Sequence, residues 1–187
     1  MKINRISLVS LVLLSSMMAC RMNIGGPKPT GQPVIVSTEA AGSLQQQFEQ
    51  ALQNPDQNGQ ITLTINESQL TSLLAAKLAS SPDPLITDPQ VYLRDGQIQI
   101  YGKASKGYFE ANVGIILTAT IDSNGQPLIK ITSADFGPIP VPENLAESLS
   151  SLVQEAYTGA LGPLAIGFKL DSIVIAEGVM MLIGSVQ

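Results

Sequence analysis

The chain has 187 residues, 44% hydrophobic and only 13% charged, with 15 acidic residues against 10 basic ones. That is enough for one domain with a real core. A net charge of −5 with no basic stripe makes nucleic acid an unexpected partner. Histidine is absent and cysteine occurs once, which removes Ser-His and Cys-His nucleophile pairs, the commonest zinc ligand and any internal disulfide.

The N-terminus reads as an export signal over residues 1–19. Lys2 and Arg5 supply a positive start, Ile6 to Met18 an apolar stretch of 13 residues, and Ala19 the small residue before a cleavage site. That stretch is too short for a hydrocarbon layer, which needs roughly 20 apolar residues. With Cys20 directly after it, the segment resembles a bacterial lipoprotein signal, in which the cysteine is acylated and becomes the first mature residue. Several acyl chains hold a protein on a membrane far better than one. Met17 and Met18 depart from the usual residues of that pattern and leave the cleaving peptidase open. An ordinary secretory signal with an incidental cysteine is the other reading. Cleavage removes Lys2 and Arg5 and leaves 168 residues with 8 basic and 15 acidic side chains. The expected product sits on the extracytoplasmic face of a cell membrane, tethered through Cys20.

Residues 20–40 read as the lipidated cysteine and a flexible linker. Gly25-Gly26-Pro27, Pro29, Gly31 and Pro33 crowd the stretch from Arg21 to Pro33. Fully extended, it would reach roughly 40 Å from the membrane. Residues 41–187 read as a single domain. Leu44, Phe48 and Leu52 mark a short amphipathic helix over Ser43 to Gln53. Ile61, Leu63 and Ile65 alternate with threonines as a strand. Asn66 and Gln69 form a capping box for a helix to Ala79, with Leu70, Leu73, Leu74 and Leu78 as its apolar stripe. Val91 to Leu93 and Gln97 to Tyr101 pair around Asp95-Gly96.

Tyr108 to Ile121 is the longest strand, and Leu128 to Ala134 returns antiparallel to it. Gly137 to Pro142 leads stiffly into a second long helix, Glu143 to Leu161, of about 28 Å. Phe168 to Ile175 and Val179 to Ile183 close the chain as a hairpin around Glu177-Gly178. Val91 to Gly102 aligns without gaps with Ile173 to Gly184, either by chance or as a duplicated hairpin.

Catalysis has little support. No G-x-S-x-G elbow, Walker loop or G-x-G-x-x-G occurs. Asp95, Asp122 and Glu177 sit in turns, and Glu143, Glu147 and Glu155 sit on the polar side of a helix. Pro55 to Gly59 and Asp122 to Gly125 lack the spacing of an EF-hand and read as turns. No catalytic residue, metal or cofactor is expected.

Apolar surface is in excess. Gly114 to Leu117 and Val179 to Ile183 are apolar on both faces, so each needs cover on two sides. Either helices and loops supply it, or one concave face lines a groove for an acyl chain. Met180 and Met181 suit both, because thioethers fill gaps and adapt to ligands.

The order Asn66-Glu67-Ser68-Gln69-Leu70, Val91 to Ile98, Phe136 to Pro142 and Ile173 to Gly184 resembles the LmeA-like phospholipid-binding and YpmS-like envelope proteins. The resemblance covers residues 59–187 and transfers no catalytic residue. It implies a tubular lipid-binding (TULIP-like) α+β fold: a strongly curved antiparallel sheet wrapped around the long helix, with a second amphipathic helix alongside.

The expected function is noncatalytic binding of a phospholipid, fatty-acyl or other long apolar ligand. The expected lining is Ile98 and Ile100, then Val113, Ile115 and Leu117, with Leu149, Leu152 and Val153 from the long helix and Met180 and Leu182 from the final hairpin. The alternative is a structural lipoprotein with a closed core that docks another envelope protein. Neither reading fixes an oligomeric state.

Overall fold

The β-elements follow from sequence alternation, and their order is seen in a computed structural model that describes residues 22–82, 84–123, 125–151 and 168–186. In chain order these are β1 (Met22–Asn23), α1 (Thr38–Gln53), β2 (Gln60–Asn66), α2 (Glu67–Ala79), β3 (Thr87–Arg94), β4 (Gln97–Lys106), β5 (Phe109–Ile121), β6 (Pro127–Asp135), β7 (Phe168–Ala176) and β8 (Val179–Val186). A third helix, α3, is described over residues 145–151. The remainder of the helix expected to Leu161 and the export signal with Cys20 lie outside the described residues.

The fold is α+β, with an antiparallel-rich sheet curled strongly into a half-barrel. β5 is its centre: β4 and then β3 lie on one side. On the other side β1 pairs in parallel with the beginning of β5, and β6 pairs antiparallel with its end. The second sheet runs β2-β8-β7. Register shifts between Thr87 and Gln90, between Ile116 and Leu117, and between Leu170 and Ser172 add local bends to the ordinary strand twist, which accounts for the curl.

The concave face reads straight off the cross-strand register. Val91, Ile100 and Ile115 share one row, and Leu93, Ile98 and Leu117 the next. Facing them are Ile61, Leu63 and Ile65 of β2, with Met180 of β8 and Leu170 of β7, all buried. Leu44 and Phe48 of α1, Leu78 of α2, and Leu145 and Leu149 of α3 complete one continuous core.

The convex face of β3, β4 and β5 is covered by the segment expected to be a free linker. Met22 donates to the Tyr108 carbonyl at 3.0 Å and Ile24 to the Glu110 carbonyl at 2.8 Å, and Asn112 donates to the Gly25 carbonyl at 2.7 Å. The chain then crosses the sheet. Pro27 packs over Gly114, where a β-carbon would stand 3.1 Å from the proline ring. The Tyr92 hydroxyl donates to the Gln32 carbonyl at 3.0 Å. The Gln90 amide brackets Val34, accepting from its N–H and donating to its carbonyl. Residues 22–37 are thus a strap: glycine and proline serve close approach and straightness here, where their composition alone suggested mobility.

The strap ends at Ser37, whose side chain caps α1 by accepting from Ala40 at 2.9 Å. Ser37 N–H in turn donates to Ser72 Oγ at 3.0 Å. The α2 capping box forms as its sequence requires: Asn66 Oδ1 accepts from Gln69 N at 2.9 Å, and Gln69 Oε1 accepts from Asn66 N at 3.0 Å.

α2 also closes the free edge of β3. Val91 N–H donates to Thr71 Oγ at 3.0 Å and Leu93 N–H to Glu67 Oε1 at 2.8 Å. An edge strand with satisfied donors offers no template to another chain. At the end of β3 the two sheets are fastened together. Arg94 pairs with Glu67 of α2 and, at 3.2 Å, with Glu177 in the β7–β8 turn. Beside them Gly178 N–H donates to the Leu93 carbonyl at 3.0 Å. The two aligned hairpins therefore meet turn to turn, although Asp95 and Gly96 both have positive φ while only Gly178 does in the other turn.

Three measurements test this arrangement. Gly25 and Gly26 both have positive φ, but a β-carbon on Gly25 meets nothing, whereas one on Gly26 runs into the Asn112 carbonyl. In urea unfolding, Gly25→Ala should cost about 1–2 kcal/mol, the conformational term alone, and Gly26→Ala clearly more. Equal losses would mean the strap is not seated.

Burial pushes the Tyr92 phenol above its ordinary value of 10.0, and the Glu67 carboxylate adds to the push. The unfolded chain therefore releases this proton first. The contribution is whole below about pH 10 and is lost as pH climbs through the folded value. Tyr92→Phe should be about 1 kcal/mol less stable at neutral pH, with a gap to wild type that narrows at alkaline pH in pH-dependent thermal unfolding.

Arg94→Met strips the cation from Glu67, whose side chain is only 18% exposed. Because Arg94 is itself about a third exposed, the loss in denaturant titration should be about 1–2 kcal/mol. Glu67→Gln in the same background should recover part of it.

Candidate functional site

α2 carries its side chains in an unexpected way. Its polar residues Gln69, Thr71 and Ser72 are buried, each at 3% exposure or less, while Leu70, Leu73 and Leu74 of the apolar stripe are only half-buried. The polar groups are engaged in fastening: Thr71 to β3, Ser72 to the strap, and Gln69 to its own cap and to Ser43 Oγ at 2.9 Å. That fastening fixes the rotation of the helix about its axis, and it leaves the leucines facing a space they do not fill.

The space is an apolar groove of about 120 Å³. Leu70, Leu73 and Leu74 form one wall, with Lys77 one turn further along. The sheet supplies Val91, Ile98, Ile100 and Leu117, and Ile129 of β6 and Leu149 of α3 join them. Among the described residues Lys77 is the single charged one in the lining. For scale, an apolar cavity of about 150 Å³ holds one benzene, and whole drug-sized ligands occupy about 300–1,000 Å³. The groove therefore matches the end of an acyl chain, a few methylenes, rather than a complete lipid.

Of the expected lining residues, the structure brings Ile98, Ile100, Leu117 and Leu149 together in this groove. Val113 and Ile115 sit on the same concave face but are packed to 0% and 1% exposure, beyond its reach. Met180 and Leu182 belong to the second sheet, opposite Ile65 and Leu63 of β2. Leu152 and Val153 lie outside the described residues. The sequence marks the wall contributed by α2 only as an apolar stripe, because an i, i+3, i+4 leucine pattern looks the same whether or not its neighbour touches it. The only available signal was the run Thr71-Ser72 between leucines, two hydroxyls well placed to bond elsewhere.

A larger depression, about 580 Å³, lies on the other flank of α2 between Val36, Leu78, Pro84, Ile86 and Gln90. Its wall includes Thr87 and Asp88, and Asp88 is paired with Lys103 at 3.0 Å. The pairing holds the Lys103 ammonium above its ordinary range, the Asp88 hydrogen bond being the main cause. This lining is mixed and shows no convergence of groups on one ligand chemistry.

Two of the carboxylates that stand in calcium-loop-like turns are spent on those turns. Asp56 Oδ1 accepts from Asn58 and Gln60, and Asp122 Oδ1 accepts from Gln126, each within its own turn. Among the described residues no group of three His, Cys, Asp or Glu stands close enough to hold a metal ion. Among them, too, no helix is long and apolar enough to cross a membrane.

Compared with models of known protein families and with curated proteins, the chain matches none.

Proposed function

We propose that the protein is a lipid-anchored extracytoplasmic lipoprotein that binds the apolar end of an acyl chain, without catalysis, between α2 and the concave face of the curled sheet. The observation that carries the reading is the groove itself: aliphatic side chains from four strands and two helices converge, with one ammonium, Lys77, on the lining. Each buried methylene contributes about 0.8 kcal/mol, so a few of them bind measurably without any charged anchor. The tubular lipid-binding arrangement belongs to the same proposal and is supported by the curl of the sheet and by the start of α3 against the core, with Leu145 and Leu149 both buried.

A second reading draws on a different observation. Leu93, Val113 and Ile115 are packed to 1% exposure or less, so much of the concave face is already filled. A closed-core lipoprotein that docks another envelope protein would be built in that way.

Native mass spectrometry of the protein purified without detergent separates the two, together with uptake of a fluorescent fatty acid. The acyl reading expects a copurifying lipid and saturable uptake. Leu74→Trp should fill about three methylenes' worth of groove and weaken uptake by ~2.4 kcal/mol, roughly 60-fold. Leu128→Trp, on the exposed side of β6, should leave uptake unchanged. Repeated purification with no lipid and no uptake would instead favour the closed-core protein.

A further inference from the structure

The described large hydrophobic side chains that stand exposed are not scattered evenly. Tyr108 is 76% exposed, Met22 63% and Phe109 50%, and they are neighbours. Lys106, Phe109 and Met22 form one cross-strand row over β4, β5 and β1, since Phe109 pairs with both of the others. Tyr108 stands at the tip of the hairpin. Gly107, with φ of +62°, takes the first central position of its two-residue turn, where glycine permits the tight reversal. Elsewhere the described rings are buried or half-buried: Phe48 and Phe136 lie in the core, and Tyr92 and Tyr101 pack edge to face beneath the strap.

Cys20 precedes Met22 by two positions, and two residues span at most about 7 Å. Because Met22 is itself hydrogen-bonded to the Tyr108 carbonyl, there is no slack between the acylation site and this tip. A tether read as roughly 40 Å of free linker is in effect absent. We propose that the β4–β5 hairpin tip, with Met22, is a membrane-docking surface: Tyr108, Phe109 and Met22 enter the interfacial layer of the bilayer that receives the acyl chains of Cys20.

The chemistry fits that occupant. Aromatic side chains favour the headgroup level, where a ring is half in hydrocarbon and half in water. The acyl chains of Cys20 hold the protein at the bilayer, and the aromatic tip adds an apolar contact beside them. The exposed cation at this end is Lys106. Lys103, slightly further in, is already paired with Asp88 and Glu110. An acidic protein thus presents to the lipid an aromatic end that carries one exposed cation, Lys106. The inference rests on the tether half of the proposed function and not on the groove.

The chain contains no tryptophan, so Tyr108→Trp makes a clean reporter. The full-length acylated protein is reconstituted on phosphatidylcholine–phosphatidylglycerol vesicles and its emission recorded with and without brominated lipids. Leu128→Trp is the control. Leu128 pairs with Thr120, so it lies eleven β5 positions from Phe109, up to about 36 Å along the strand. Y108W should shift to the blue and be quenched by lipids brominated near the headgroup, while L128W should do neither.

Vesicle-bound protein whose Y108W emission stays water-like, or L128W quenching equal to Y108W, overturns the docking surface. The mass of the N-terminal peptide is read in parallel: an unmodified Cys20 overturns the tether and this placement together. Tyr108→Ser with Phe109→Ser should reduce the vesicle affinity of the acylated chain severalfold and leave fatty-acid uptake intact, which keeps this inference apart from the groove. Unchanged vesicle affinity in that double variant counts against it.

Discussion

A strand that is apolar on both faces cannot stand at a surface, and β5 is such a strand. Val113, Gly114 and Ile115 are consecutive and all buried. Since successive side chains point to opposite faces, two covers are required, and most of the architecture follows from where they come from. The concave cover is made by α2, α3 and the second sheet. The convex cover is the strap, laid over Gly114 and Tyr92 before the first helix begins. Gly114 marks the crossing point: a larger side chain there would meet Pro27 and lift the strap from the sheet.

The two covers are coupled through hydrogen bonds rather than through apolar contact alone. The strap ends on Ser37, which is tied to Ser72 of α2, and α2 is tied through Thr71 and Glu67 to the edge of β3. Glu67 also holds Arg94, which reaches Glu177 of the second sheet and lies 5.8 Å from the centre of the Tyr92 ring beneath the strap. One short helix therefore connects the convex cover, the open sheet edge and the opposing sheet. Buried polar groups are costly unless paired, and in Gln69, Thr71 and Ser72 the pairing is what gives α2 a single orientation.

Sequence pattern revealed much of this and missed one thing with large consequences. Strict alternation located β2, a long run with apolar residues on both faces located β5, Asp95-Gly96 located the β3–β4 hairpin, and the Asn66–Gln69 capping box located the start of α2, because each is governed by contacts a few residues apart. The strong curl of the sheet was implied only by the resemblance, because alternation does not encode the register shifts that bend the strands. The strap was not legible. Gly25-Gly26-Pro27 has the composition of a tether, and its role depends on Gly114 and Tyr92, which are distant in sequence. Four of the residues expected to line a ligand site do share the groove. Val113 and Ile115, on the same face of the same strand, are packed instead. Period-two patterning says which face a residue is on, but not how far along the strand the opposing elements reach.

That gradient along β5 is the physical limit on any ligand. At its beginning, Ala111 and Val113 are packed solidly, with small side chains that let neighbouring elements come close. Toward its end, Leu117 and the adjoining Ile129 face half-buried leucines of α2 and leave about 120 Å³ between them. The concave face thus changes from closed core to open groove within a few residues, and no continuous channel is implied by the described walls. On the proposed reading, an acyl chain would enter by its end and stop against Ile100. Deepening the site would require α2 to rotate or withdraw, which would break the bonds through Thr71 and Glu67 that secure the edge of β3 and the bond between Ser72 and the strap. The same polar contacts that hold the leucines off the sheet also prevent the groove from growing, so its capacity is set by the fastening of the helix rather than by the supply of apolar surface.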